Sequence, residues 1–336
     1  MGKTAVRKLV AAAAYGGGGV SVMGASLYGV LRAEAMVARK AIGNADGEPP
    51  DSTGWYGQDR PGPALKVALL GDSSAAGYGV AEVRDTPGAH LASGLAEGAN
   101  RRVYLRSFAF VGAQTRDLDR QIDLAVGVEP QVVVIFVGAN DVTHARLPSE
   151  SVRLLGDAVR RLRETGAEVV VGTCPDLGTI EPIPPPLKQV ARLLSRRLAA
   201  AQTVVTVEAG GRTVSLGSVL GPEFLATPAL LFGPDRFHPS AAGYSSMAAV
   251  MLPSVLAAVG VIPFQDLVPE AARGEAVLPI TEAAVEAARI PGTEIDGTQV
   301  AGAPRGARGR WVQLRRRRHQ PESDVEAPSV TESADS

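Results

Sequence analysis

Short apolar runs recur along this chain with helical stripes between them, and that alternation admits few architectures. Val67 to Leu70, Val103 to Phe110, Val132 to Val137, Val169 to Val171 and Val204 to Val207 read as five strands. Between them, Leu118, Ile122 and Val126 recur every four residues. Val152, Leu155, Val159 and Leu162 make a second stripe that stops at Gly166, and Leu187, Val190, Leu194 and Leu198 a third. Ala241 to Val259 reads as a closing helix. Right-handed crossovers put the connecting helices on both faces of a parallel sheet. The expected class is therefore α/β, a three-layer α/β/α sandwich on a five-stranded parallel sheet.

The flanks divide the rest. Lys3, Arg7 and Lys8 precede an uncharged run from Leu9 to Leu31, which Arg32 closes. Its 23 residues would reach about 34 Å as a helix, against roughly 30 Å of bilayer hydrocarbon. Residues 1–40 are thus expected to be a membrane anchor, with a cleaved signal segment as the alternative, and the positive N-terminal residues suggest that the rest of the chain lies outside the cytoplasm. Residues 41–64, rich in Gly, Pro and Asp, read as a linker and 65–261 as the globular domain. The extension 262–336 reads as largely irregular apart from a short helix over 281–289. It carries Arg315 to Arg318 and then an acidic end.

Charge removes one class of partner. With 34 Lys and Arg against 35 Asp and Glu, the chain has no global field favouring nucleic acid. Cys174 stands alone, and His90, His144, His238 and His319 lack metal-ligand spacing, so neither a disulfide nor a metal or other cofactor is expected. Oligomeric state is left open.

Chemistry concentrates where the first strand stops. Gly71-Asp72-Ser73 follows Val67 to Leu70, which sets Ser73 just past a strand's C-terminal end, where open α/β sheets hold ligands. Small neighbours (Ala75, Ala76, Gly77) let a carbonyl approach the hydroxyl. Three further blocks can meet it at the same edge: Phe110 to Thr115 around Gly112, Gly138-Ala139-Asn140-Asp141, and Asp235-Arg236-Phe237-His238-Pro239. Ester cleavage needs a nucleophile, a base that later acts as acid, and donors for an oxyanion. Ser73 would attack, His238 would shuttle the proton and Asp235 would orient the imidazole. The backbone N–H groups of Ser73 and Gly112, with the Asn140 amide, would form the oxyanion hole. Each block also has a plainer use as a turn, a cap or a tight glycine bend.

Taken together and in order, the four blocks resemble the SGNH hydrolases, or GDSL-type esterases and lipases, over about Lys66 to Val259. The resemblance implies a flavodoxin-like SGNH hydrolase fold and a serine ester hydrolase acting on a small-molecule, lipid or polysaccharide ester. It assigns the nucleophile to Ser73 over the adjacent Ser74. Departures occur at Ser74, where Leu is common, and at Ser107 and Ala109, where Asn and Gly are common. Two alternatives stay open: an acyltransferase acting on envelope sugars or lipids, and a non-catalytic envelope binding module. The segments Asp176 to Pro186 and Val219 to Gly233 are candidates for shaping the substrate site.

Overall fold

The computed structural model describes residues 33–34, 47–216, 227–261, 276–289, 293–297, 299–300, 303–304 and 311–316. The expected anchor run Leu9–Leu31, residues 35–46, Phe224 and Leu225, and the tail beyond 316 lie outside the described residues.

Five parallel strands carry the architecture. β2 (Leu65–Gly71) is an inner strand, with β3 (Val103–Ser107) and β4 (Val132–Phe136) on its two sides; β5 (Glu168–Gly172) and β6 (Arg212–Val214) continue beyond β4. The spatial order β3-β2-β4-β5-β6 reverses direction at β2, so the chain's topological switch point lies between β2 and β4. Helices α1 (Ser73–Ala76), α2 (Pro87–Ala99), α3 (Leu118–Val126), α4 (Ala139–Thr143), α5 (Pro148–Glu164), α6 (Leu187–Glu208), α7 (Pro228–Leu231) and α8 (Ala241–Ala258) follow in sequence.

Successive strand residues point to opposite faces, and the two cores divide accordingly. Leu65, Val67 and Leu69 pack on one face with Leu91 and Leu95 of α2 and Tyr244, Met247 and Met251 of α8. Ala68 and Leu70 pack on the other with Leu118 and Ile122 of α3 and Leu155, Val159 and Leu162 of α5. Each fully buried Leu or Ile contributes about 1.5–3 kcal/mol, so each face is held by many such terms. α2 has no counterpart in the expected helices. Its large apolar residues are few, and Gly94 and Gly98 serve as notches: a Cβ there would come within 2.6 Å of Leu252 and 2.8 Å of Leu256 on α8.

Several expectations are corrected. Val204–Val207 is not a strand. It is the last turn of α6, where Val207 packs against Ile280, Ala283 and Ile295, and this burial overrides the β-branched local preference. The fifth parallel strand is instead the short β6, reached through the turn at Gly210-Gly211. The second strand ends at Ser107 instead of Phe110.

The sheet is also wider than the parallel five. β1 (Gly54–Tyr56), inside the expected linker, adds antiparallel to β3. The described residues of the extension hold strands as well as the expected short helix. β7 (Ala276–Pro279), helix α9 (Ile280–Ala287), β8 (Thr293–Gly297), β9 (Gln299–Val300), β10 (Ala303–Pro304) and β11 (Trp311–Arg316) follow one another. Among the described residues the main sheet holds nine strands, with β8, β11 and β7 continuing it antiparallel beyond β6, while β9 and β10 form a separate pair.

Candidate active site

The end of β2 is fixed by contacts that leave little freedom. Gly71 has φ +135°, and a Cβ there would lie 1.9 Å from the Phe136 carbonyl oxygen, so only glycine fits. The buried Gln121 side chain clamps this residue, accepting the Gly71 N–H at 2.7 Å and donating to its carbonyl at 2.9 Å. The Asp72 N–H continues the ladder to the Phe136 carbonyl at 3.0 Å. Asp72 then caps α1 by accepting the Ser74 N–H at 2.9 Å, and the Tyr78 N–H returns to the Ser73 carbonyl at 3.0 Å. Ser73 therefore sits on a single braced turn.

The loop before α8 meets that turn. Asp235 Oδ1 accepts the N–H groups of Phe237 at 3.0 Å and His238 at 2.9 Å, which folds the loop around the carboxylate. Its Oδ2 pairs with His238 Nδ1 at 2.6 Å, and His238 Nε2 lies 2.9 Å from Ser73 Oγ. With the proton on Nδ1 facing the carboxylate, Nε2 is left as acceptor for the serine hydroxyl. Tyr78 and Phe237 present T-shaped contacts to the imidazole at 4.8 and 4.9 Å.

Electrostatics separate the two carboxylates of the site. Burial alone would raise Asp235, but the His238 hydrogen bond and the backbone donors outweigh it and hold the group below its ordinary value. Asp72 goes the other way. Burial pushes it up to about 6, against the opposing Ser74 N–H and His238, with Asp141 adding to the rise.

Gly112, in the loop after β3, and Asn140, at the start of α4, lie after the strands on either side of β2. After β3 the chain keeps running beside β2, with the Phe108 N–H on the Leu69 carbonyl at 2.8 Å and the Phe110 N–H on the Gly71 carbonyl at 3.3 Å. Gly112 turns with φ +83°. Asn140 Nδ2, at the start of α4, donates to the Ala113 carbonyl at 3.0 Å and so ties the two loops together. An amide nitrogen carries two N–H donors, and this bond uses one. Asp141 locks the arrangement from below: it accepts the Thr115 N–H at 3.1 Å, the Thr115 hydroxyl at 3.0 Å and the Ser151 hydroxyl at 2.6 Å.

The structure thus joins Ser73, His238 and Asp235 by direct hydrogen bonds and sets Gly112 in the loop after β3 and Asn140 at the start of α4. Ser74 turns its N–H to Asp72, and the imidazole meets Ser73. His144 is exposed, with Nδ1 2.8 Å from the Asn140 carbonyl oxygen, and Cys174 is buried. Ser107 donates its N–H to Thr53 Oγ1 at 3.2 Å. Among the described residues no cluster of three His, Cys, Asp or Glu side chains is placed to hold a metal ion.

Two hollows flank the His238 loop. One, of about 40 Å³, is walled by Phe136, Ala139, Leu177, Ile180 and Met247 beside Ser74 and His238. Leu177 and Ile180 belong to the segment Asp176 to Pro186, which Asp176 anchors. Its buried carboxylate accepts the Gly178 N–H at 2.9 Å and Arg196 Nε at 2.8 Å, with Arg192 at 3.6 Å. The second, an open groove of about 640 Å³, is lined by Gly79, Asp85, Glu181, Phe232, Pro234 and Arg236. Phe232 is the described aromatic of the other candidate segment, whereas Leu230 is exposed and Leu231 packs in the core.

Sequence reasoning missed the supporting polar residues. Gln121 lies one turn from Leu118 on the buried side of α3, so a polar residue at an apolar stripe position was the available signal. Gln202 of α6 does the same work for neighbouring strand ends, accepting the Cys174 N–H at 2.7 Å and donating to the Val137 carbonyl at 3.0 Å.

Comparison with known proteins follows the same lines. The sequence model of the GDSL-like lipase/acylhydrolase family matches residues 69–245. The chain is 40% identical over 255 residues to the GDSL-like esterase Rv1075c of Mycobacterium tuberculosis, covering 72% of this chain and 80% of that one. Among solved structures, LAE5, an alpha/beta hydrolase enzyme from the metagenome of Lake Arreo, aligns with a TM-score of 0.46 at 22% identity, covering 59% of this chain and 96% of its own. A mutant of Axe2, an acetyl-xylooligosaccharide esterase from Geobacillus stearothermophilus, aligns with a TM-score of 0.46 at 20% identity, covering 58% and 94%.

Proposed function

The chain belongs to the GDSL-like lipase/acylhydrolase family and is a serine esterase, and from that premise we propose that it cleaves acyl esters through an acyl-enzyme on Ser73. The observation that carries this reading is the relay from Ser73 Oγ to His238 Nε2 at 2.9 Å and from His238 Nδ1 to Asp235 at 2.6 Å.

Ser73 Oγ attacks the ester carbonyl as its proton passes to His238 Nε2. Asp235, held ionised by its hydrogen bonds, stabilises the imidazolium that results. The carbonyl oxygen, now negative, takes the backbone N–H groups of Ser73 and Gly112 and the second N–H of the Asn140 amide. Collapse breaks the bond to the leaving alcohol, which departs with the proton from His238. Water then repeats the sequence with His238 as base, releasing the carboxylic acid and restoring the serine hydroxyl.

The small apolar hollow beside Ser74 suits a short acyl portion, and the open groove past Arg236 suits the alcohol portion. Transfer to an acceptor hydroxyl is the second reading, favoured by the same groove, which has room for an alcohol larger than water. Residues 9–31 anchor the chain, with the catalytic region outside the cytoplasm; the length of the run and its flanking positive residues support this placement.

A fluorophosphonate probe tests the mechanism. Labelling is expected on Ser73 and absent from Ser73→Ala, whose turnover of nitrophenyl esters should fall by at least about 1,000-fold. Near-normal turnover in Ser73→Ala would refute the assignment. Added glycerol separates hydrolysis from transfer by the products formed.

A further inference from the structure

We propose that the sheet edge carrying Ser73 faces the bilayer and draws its ester from the leaflet, as the acyl ester of a membrane amphiphile. This rests on the readings of Ser73 as nucleophile and of residues 9–31 as an anchor.

The first observation is where the chain returns from that run. The Glu34 carboxylate accepts the N–H of Leu187, the first residue of α6, at 2.8 Å. Because α6 leaves the loop that follows β5, its N-terminus lies at the same edge as Ser73. Leu31 is three residues before Glu34, a span of at most about 11 Å. The interfacial layer outside the hydrocarbon is itself about 5–8 Å deep on each side. The segment Asp176 to Pro186, which walls the hollow beside His238, is therefore held within or just outside the lipid headgroups.

The second observation is where apolar side chains stand in solvent. Phe110 and Val111 follow β3, Leu147 follows α4, and Leu230 lies in α7 just before the Asp235 loop; all four belong to the catalytic edge. Leu147 and Leu230 are the most exposed large apolar residues among those described, at 68% and 61%. Side chains of this kind ringing a site held within or just outside the headgroups are placed to enter the interface. The open groove carries Asp85, Glu181 and Arg236, polar groups that suit the headgroup side of an amphiphile, and the small apolar hollow beside His238 suits the acyl carbons next to the carbonyl.

The test uses the full chain in phosphatidylethanolamine/phosphatidylglycerol vesicles, with single fluorophores on Leu147→Cys, Leu230→Cys and Leu124→Cys. Cys174 is buried and stays unlabelled. Leu124 is exposed near the far end of α3, at the opposite edge of the sheet. Lipids with a nitroxide near the headgroup should quench the first two labels strongly and spare the third. Equal quenching at all three, quenching at Leu124 alone, or protein that does not remain with the vesicles would overturn the orientation. In parallel, Leu147→Glu with Leu230→Glu should lower turnover of a vesicle-borne acyl ester about tenfold while leaving soluble nitrophenyl acetate within about twofold. An equal effect on both substrates, or none on either, refutes the proposal and favours a soluble ester such as a decorated polysaccharide. Loss of nitrophenyl acetate turnover in the unmodified chain would instead refute the nucleophile reading, so the two failures are distinguishable.

Discussion

Replacing Asp72 by Asn should stabilise the protein at neutral pH and make no difference in acid. The Asp72 carboxyl is 2% exposed, and burial raises it from 3.8 to about 6. Between those values the folded chain holds a proton that the unfolded chain has released, so stability falls as pH rises through that window. A shift of about 2 units at 1.36 kcal/mol per unit gives a cost of about 3 kcal/mol for the ionised group above pH 6, with no cost below pH 3.8. Asparagine is neutral throughout and keeps an oxygen for the Ser74 N–H. Urea unfolding of the detergent-solubilised chain, followed by circular dichroism from pH 4 to 8, measures the difference. The gap between variant and parent should open over that window and then level off. A gap independent of pH, or a variant less stable than the parent at pH 7, would refute the reasoning.

Other changes probe the braces around the site. Gly71→Ala forces a Cβ into the Phe136 carbonyl at 1.9 Å and should cost at least about 4 kcal/mol or prevent accumulation of folded protein, read as Tm and soluble yield. Gln121→Leu strips two hydrogen bonds from buried Gly71 and should cost about 2–5 kcal/mol in denaturant unfolding. Asp235→Asn should lower kcat by about 10,000-fold with KM little changed, because the imidazole loses the partner that fixes its tautomer. Because Asp235 is held below its ordinary value, the stability it supplies is present at pH 7 and lost as acid titrates the folded group. Asn removes that acid-sensitive part, which unfolding curves below pH 4 will register.

Much of the site was legible because its chemistry is local. Ser73 follows an unbroken apolar strand, and Asp235 and His238 stand three residues apart, so one loop brings carboxylate and imidazole together. The helices over 118–126 and 148–164 were legible for the same reason, each having a stripe of large apolar residues. What escaped was set by distant partners. Val204–Val207 looks like a strand until α9, more than seventy residues later, covers it. α2 hides because it packs by indentation, its glycines receiving Leu252 and Leu256. Gln121 and Gln202 read as ordinary helix polars, and only the folded sheet turns them inward onto strand ends.

The antiparallel strands beyond β6 set where the sheet ends. Pairing of Thr213 with Ile295 and of Val214 with Glu294 occupies the open side of β6. A chain cut after residue 261 would present that strand's unpaired amides and carbonyls to its neighbours, along with the apolar patch around Val207. Such a border recruits strands from other molecules and drives self-association. The stretch outside the span matched by the family therefore works as a selvedge for β6, carrying the sheet's border outward to β7.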